Sequence, residues 1–184
     1  MKYWLDTEFI ENGKTIDLIS IGIVADDGRE FYAENLDADL SKASSWVQEN
    51  VLPHLWSRQS DKSAANRWIL DGGFGGLLSR ESIAKDLILF FKADPSIQIW
   101  AYYADYDWVA FCQLFGTMMD LPDGFPMYCR DLKQECDRLG NPDLPLQESG
   151  EHNALADARW NRKAWELLKD YNCNAGCVVN SDLR

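Results

Sequence analysis

Lys2-Tyr3-Trp4-Leu5-Asp6-Thr7-Glu8-Phe9-Ile10 (KYWLDTEFI) opens the chain and decides how the rest of it is read. Residues 2–9 have the aromatic and apolar content of a core strand, yet two carboxylates sit in the middle. Strand side chains alternate between faces, so Asp6 and Glu8 leave the sheet on one side, roughly 7 Å apart at the backbone. Two unpaired carboxylates that close repel, and one takes up a proton unless a cation resolves the conflict. A surface strand with solvated acids is the plainer explanation, and the apolar neighbours weigh against it.

Working outward, Glu11–Lys14 is a turn, and Ile16–Ala25 (IDLISIGIVA) is a second strand. Asp26-Asp27-Gly28 is a hairpin signal, and Arg29–Ala33 is a third strand. An antiparallel meander therefore starts the fold. Helical spacing is expected over 43–51, ending at Pro53, and over 82–92, where Ile83, Leu87, Phe90 and Phe91 recur. Residues 57–80 are polar and Gly-rich with no clear period, and the cluster from Asp71 to Gly76 reads as a flexible loop. It lacks the preceding strand and the Lys-Ser/Thr ending of a phosphate-binding loop. Ile97–Tyr103 (IQIWAYY) is a fourth strand, and helices follow over 107–115, 131–139 and 153–171. The expected fold is α/β: a mixed sheet, with an antiparallel three-strand meander plus parallel strands, flanked by helices. One domain covers 1–171, and 172–184 reads as a loosely ordered tail.

With 184 residues and 46% hydrophobic content, the chain can bury a sizeable core. Its formal net charge of −12 argues against tight, non-specific binding to long duplexes. An enzyme that grips one end of a short strand is compatible with that charge, because metal-binding carboxylates count as negative. No signal peptide or membrane-spanning stretch is evident. The five cysteines are odd in number and irregularly spaced, and Cys173 and Cys177 lack two further zinc ligands. A cytoplasmic protein with free thiols is expected.

Two more acidic clusters complete the picture. Ala104-Asp105-Tyr106-Asp107-Trp108 follows the fourth strand and enters a helix, a common place for ligands in α/β proteins. Asp105 and Asp107 compete for a ligand role there, and Asp107 is also a plausible helix N-cap. His152-Asn153-Ala154-Leu155-Ala156-Asp157 opens the final helix, with Asn153 as its N-cap. His152, one of two histidines, lies on the preceding loop, from which its ring can swing over a site that Asp157 faces. A surface or capping role is the plainer explanation for His152 taken alone.

In this order, Asp-x-Glu, a later Asp and His-x4-Asp resemble the DEDDh 3′–5′ exonuclease superfamily, with its RNase H-like fold. Oligoribonuclease, ribonuclease T and the proofreading subunits of DNA polymerases are members. DTEFI, TIDLISIGIVADDGREFYA, YDWVAFCQLFG and HNALADAR resemble, more narrowly, the ribonuclease AS group of polyadenylate-specific 3′-exoribonucleases. The family pattern favours Asp107 over Asp105.

The resemblance implies metal-dependent release of nucleoside 5′-monophosphates from single-stranded RNA 3′ ends, with adenylate-rich ends preferred. It implies two Mg²⁺ or Mn²⁺ ions per active site: Asp6 bridging them, Glu8 and Asp157 completing one site, and Asp107 supporting the other. His152 would be general base on the attacking water, with Glu8 counted beside it in catalysis. Imidazoles titrate near ~6.5 and so exchange protons at neutral pH. Phe9, Ile10 and Trp108 flank the ligands and are candidates to wedge or stack against the terminal base. Gln113 is a candidate for an adenine edge, and Arg159, Arg162 and Lys163 for phosphates. The resemblance also implies a homodimer. A 3′–5′ exodeoxyribonuclease and a non-catalytic nucleic-acid-binding domain on the same fold are the alternatives.

Overall fold

The computed structural model describes residues 1–59, 73–91, 94–147 and 149–178, the last five of these by backbone alone. Among these residues six strands form one sheet: β1 (Lys2–Glu11), β2 (Ile16–Ala25), β3 (Glu30–Asn35), β4 (Phe74–Leu78), β5 (Gln98–Ala101) and β6 (Arg130–Asp131). Their order across the sheet is β4-β3-β2-β1-β5-β6. The β1–β2 and β2–β3 pairs are antiparallel, as the hairpin signals require, and the β3–β4, β1–β5 and β5–β6 pairs are parallel. Among the described residues the α-helices are α1 (Ser45–Asn50), α2 (Arg80–Phe91), α3 (Asp105–Gln113), α4 (Leu132–Arg138) and α5 (Ala154–Val178). The mixed α/β architecture expected from the sequence is the one observed, and it is consistent with an RNase H-like fold.

Strand alternation sorts the core into layers. Tyr3, Leu5, Ile21, Ile23 and Phe31 point to one face, where Leu87, Phe90 and Phe91 of α2 and Phe111 of α3 cover them. Trp4, Val24 and Tyr32 point to the other face, against Leu155, Ala158 and Leu168 of α5 and Leu132 of α4. A third cluster joins Ile10 and Ile19 to Val47 of α1 and to Val51, Leu52 and Leu55 in the turns that follow it.

The sequence expectation is corrected in three places. The glycine cluster is not a loop over its described part: Phe74–Leu78 is strand β4, paired in parallel with Phe31–Asn35. Gly75, at φ +116°, brings its backbone so near Tyr32 that a β-carbon would meet the Tyr32 carbonyl oxygen at 2.0 Å. Asp71 and Gly72 of that cluster lie outside the described residues. Arg130 and Asp131 form a short sixth strand before α4, and Asp131 then caps α4 by accepting from the Lys133 and Gln134 amides. Finally, α5 passes the expected end at Tyr171 and runs to Val178. No proline interrupts that stretch, so the i→i−4 ladder continues. Among the described residues no helix is long and apolar enough to cross a membrane.

Candidate active site

Where β1 meets the start of α3 and the start of α5, a cavity of about 270 Å³ opens. Asp6, Glu8, Asp107, His152 and Asp157 all line it, together with Phe9 and a run of tyrosines. Residues separated by more than a hundred positions are thus brought to one place.

Asp6 and Glu8 come from consecutive same-face positions of β1, as alternation dictates. Thr7, between them, points to the opposite face and ties α3 down. Its amide and hydroxyl both donate to Asp107 Oδ1, at 2.8 and 2.6 Å. Asp107 is therefore not the helix cap: α3 begins at Asp105, and Ala104 precedes it without a side-chain cap. Asp105 is exposed and does not line the cavity.

Asp157 arrives on the first turn of α5. Asn153 caps that helix as expected, its side chain accepting from the Ala156 amide at 3.2 Å. Docking is close because β2 presents Gly22 there; a β-carbon on Gly22 would meet the Ala154 carbonyl oxygen at 2.2 Å. His152 has a left-handed backbone, φ +65°, which few non-glycine residues adopt. That turn aims its amide at Asp157 Oδ2, at 2.9 Å, and sets its ring edge-to-face with Trp46 of α1, 5.0 Å between centroids. Gln147 donates to the other Asp157 oxygen at 2.6 Å.

Oxygens of Asp6, Glu8 and Asp157 lie within 4.8 Å of one another, and no Lys or Arg pairs with these three or with Asp107 among the described residues. Burial first, then repulsion from Asp107, Asp157 and Glu8, holds the Asp6 carboxyl well above its ordinary range. Burial, then Asp157 and Asp107, pushes Glu8 up to about 8. Burial pushes Asp107 up to about 7 against the opposing Thr7 hydrogen bonds. Asp157 is raised as well, mainly by burial, and the Gln147 and His152 donors pull against that. A divalent cation would remove the repulsion, and clustered carboxylate oxygens are the donors that hard cations such as Mg²⁺ and Mn²⁺ take. The donor set fits the metals inferred from the sequence.

The expected base-contacting residues divide. Phe9 lines the cavity and stacks on Tyr106, 5.7 Å between centroids. Ile10 does not line it. One strand repeat beyond Glu8, it is covered by α1 and buried in the third cluster. Trp108 is turned into the α2–α3 layer, where it stacks on Phe111 at 5.2 Å. Gln113 ends α3 away from the cavity, its carbonyl accepting from Arg80. Arg159 is clamped by Glu30, and Arg162 pairs with Glu166. Sequence reasoning passed over Thr7, Trp46, Tyr102, Tyr103, Tyr106 and Gln147. The three tyrosines were signalled by their crowding before and beside Asp107; Gln147 carried no local signal at all.

The chain is similar to known proteins over most of its length. Over residues 1–168 the chain matches the family described as the 3′-5′ exoribonuclease Rv2179c-like domain. It is 42% identical over 170 residues to 3′-5′ exoribonuclease Rv2179c of Mycobacterium tuberculosis strain ATCC 25618 / H37Rv, covering 91% of this chain and 93% of that protein. The same identity and coverage hold for 3′-5′ exoribonuclease MT2234.1 of strain CDC 1551 / Oshkosh. With a match spanning the sheet, α3 and the acidic first turn of α5, the chain belongs to the Rv2179c-like family of 3′–5′ exoribonuclease domains.

Proposed function

We propose that the protein is a divalent-metal-dependent 3′–5′ exoribonuclease of the DEDDh type. It releases nucleoside 5′-monophosphates from single-stranded RNA and prefers adenylate-rich 3′ ends. The observation that carries this reading is the convergence of Asp6, Glu8, Asp107, Asp157 and His152 on one cavity, with no basic partner for the carboxylates among the described residues. Asp6, Glu8 and Asp157 would hold one ion, and Asp107, fixed apart by Thr7, would support the second with Asp6. When bound, such a pair supplies charge neutralisation at the phosphate and at the leaving oxygen, and lowers the pKa of the attacking water.

The chain's own residues do the rest. His152 takes the proton of the attacking water as the water oxygen bonds to phosphorus and the P–O3′ bond breaks; the departing O3′ takes a proton from solvent, leaving a nucleoside 5′-monophosphate and a shortened strand with a free 3′-hydroxyl. Its ring is held by the edge-to-face contact with Trp46, and its backbone by the hydrogen bond to Asp157. The Phe9–Tyr106 stack offers an aromatic platform for the terminal base. A cytoplasmic location, expected from the free thiols, and a homodimer, implied by the family resemblance, are part of the same proposal.

Digestion of 5′-labelled A-rich and U-rich RNA, with matched DNA, under Mg²⁺, Mn²⁺ or EDTA tests the reading. The expected result is a ladder shortening from the 3′ end of RNA, fastest on A-rich strands and absent in EDTA. His152→Ala should lower the rate by about 10²–10⁴-fold. Equal shortening by His152→Ala, or cleavage that persists in EDTA, would overturn it.

A further inference from the structure

Beyond the carboxylate cavity, a groove continues along α5. The cavity shares Tyr102, His152 and Asp157 with a second hollow of about 430 Å³. That hollow shares Gln147 and Trp160 with a third of about 530 Å³, which reaches Lys163. One wall is a face of α5, where Ala156, Trp160 and Lys163 recur at helical spacing. The other is a strap formed by Pro145–Gln147 and by Ser149 and Gly150, described residues that carry no regular structure. The strap is pinned at two points: Trp160 Nε1 donates to the Pro145 carbonyl at 2.8 Å, and Gln147 donates to Asp157 at 2.6 Å.

Charge grades along this groove. Among the described residues its lining carboxylates, Glu151 and Asp157, sit at the end that adjoins the cavity. Arg159 and Lys163 sit at the far end. Arg159 is neutralised by Glu30, at 2.8 and 2.6 Å. Lys163 is exposed and makes no ion pair with a described residue, an uncompensated cation on a chain of net charge −12. Between the two ends, Tyr102 and Trp160 meet edge-to-face at 5.2 Å. A polyanion with aromatic bases matches this sequence of surfaces: aromatic rings take bases and a free ammonium takes a phosphate.

We propose that the groove is the path of the RNA strand upstream of the cut. The first bases 5′ of the scissile phosphate lie against Tyr102 and Trp160, and a phosphate further upstream pairs with Lys163. This rests on the exoribonuclease reading for its direction, and it adds a binding track that sets affinity by strand length. Short strands end before Lys163; longer ones reach it.

Equilibrium binding separates this proposal from catalysis. In a His152→Ala background with Mg²⁺, fluorescein-labelled diadenylate and hexa-adenylate are titrated by anisotropy, with and without Lys163→Glu, Lys163→Ala or Lys163→Arg. The expected result is tighter binding of the hexamer than of the dimer. Lys163→Glu should erase that gain, Lys163→Arg should keep it, and dimer affinity should not change. Lys163→Ala should lower the slope of log affinity against log salt for the hexamer by about 0.7, one single-strand phosphate contact. Equal affinity for both lengths, or a length gain that survives Lys163→Glu, would overturn the groove assignment. RNA shortening by the wild type, followed in parallel, reports on the other reading. Turnover without Lys163 dependence sinks the groove alone. Lys163-dependent binding without turnover sinks the exoribonuclease reading and leaves the groove.

Discussion

On one face of β1, Tyr3 and Leu5 are fully buried against α2 and α3, whereas on the other Trp4 gives way to Asp6 and Glu8. The first face is continuous apolar packing: Phe90 alone meets the rings of Tyr3, Phe31, Phe74 and Phe91. The second is apolar only as far as Trp4, then holds carboxylates whose burial and mutual repulsion raise their pKa values. One strand thus carries stability on one side and stored electrostatic conflict on the other. Thr7 and Gly22 are where the two meet. Thr7 reaches through to Asp107 of α3, and Gly22 lets α5 approach closely enough to deliver Asp157.

Emptying the apolar face should give the largest change in stability. Phe90→Ala removes a fully buried ring, and such truncations cost about 3–5 kcal/mol. Denaturant unfolding should show that loss, while the folded fraction keeps its rate of RNA shortening because Phe90 does not line the cavity. A specific loss of rate with unchanged stability would break the division between the faces. Gly22→Ala sharpens the boundary. Its new methyl meets main chain, which gives way poorly, and overpacking of this kind costs about 1–3 kcal/mol. Here stability and rate should fall together, since α5 must shift and take Asp157 with it. Loss of stability alone would mean that the first turn of α5 is not held by this contact.

A smaller effect follows from pH. Glu8 is pushed up to about 8 and Asp107 to about 7, so the folded chain keeps protons that unfolded carboxylates have already released. The stability this adds is fully present below the ordinary carboxylate range, near ~4, and is lost as pH rises through the folded values. In EDTA, calorimetric Tm should therefore be lower at about pH 8.5 than at about pH 5.5, and Glu8→Gln should narrow the gap. A Tm that rises across that interval would contradict the repulsion.

Much of this was legible because alternation and helical spacing are local. The placement of Asp6 and Glu8 on one face follows from two-residue periodicity, and Asn153 as the cap of α5 follows from its type and position. Strand β4 was not legible. Phe74–Leu78 contains Gly75 and Gly76, which carry no periodic signal, and its strand character comes from parallel pairing with β3. The two residues of β6 are likewise defined by their partner strand. Ile10 and Trp108 were placed by adjacency to the candidate ligands, but adjacency in sequence does not set direction. Ile10 is covered by α1, and Trp108 turns into the α2–α3 layer. Gln147 reaches Asp157 from a strap without regular structure, where no period exists to read.

The measurement that tests the central claim most directly is thermal unfolding of the wild type and Asp6→Asn, each in EDTA and in Mn²⁺. Asp6 lies among Asp107, Asp157 and Glu8, so removing its charge relieves repulsion and also removes a ligand of the proposed cation site. The account predicts that Asp6→Asn unfolds at a higher temperature than the wild type in EDTA, and that Mn²⁺ raises Tm in the wild type alone. A lower Tm for Asp6→Asn in EDTA, with the Mn²⁺-dependent rise intact, would contradict it.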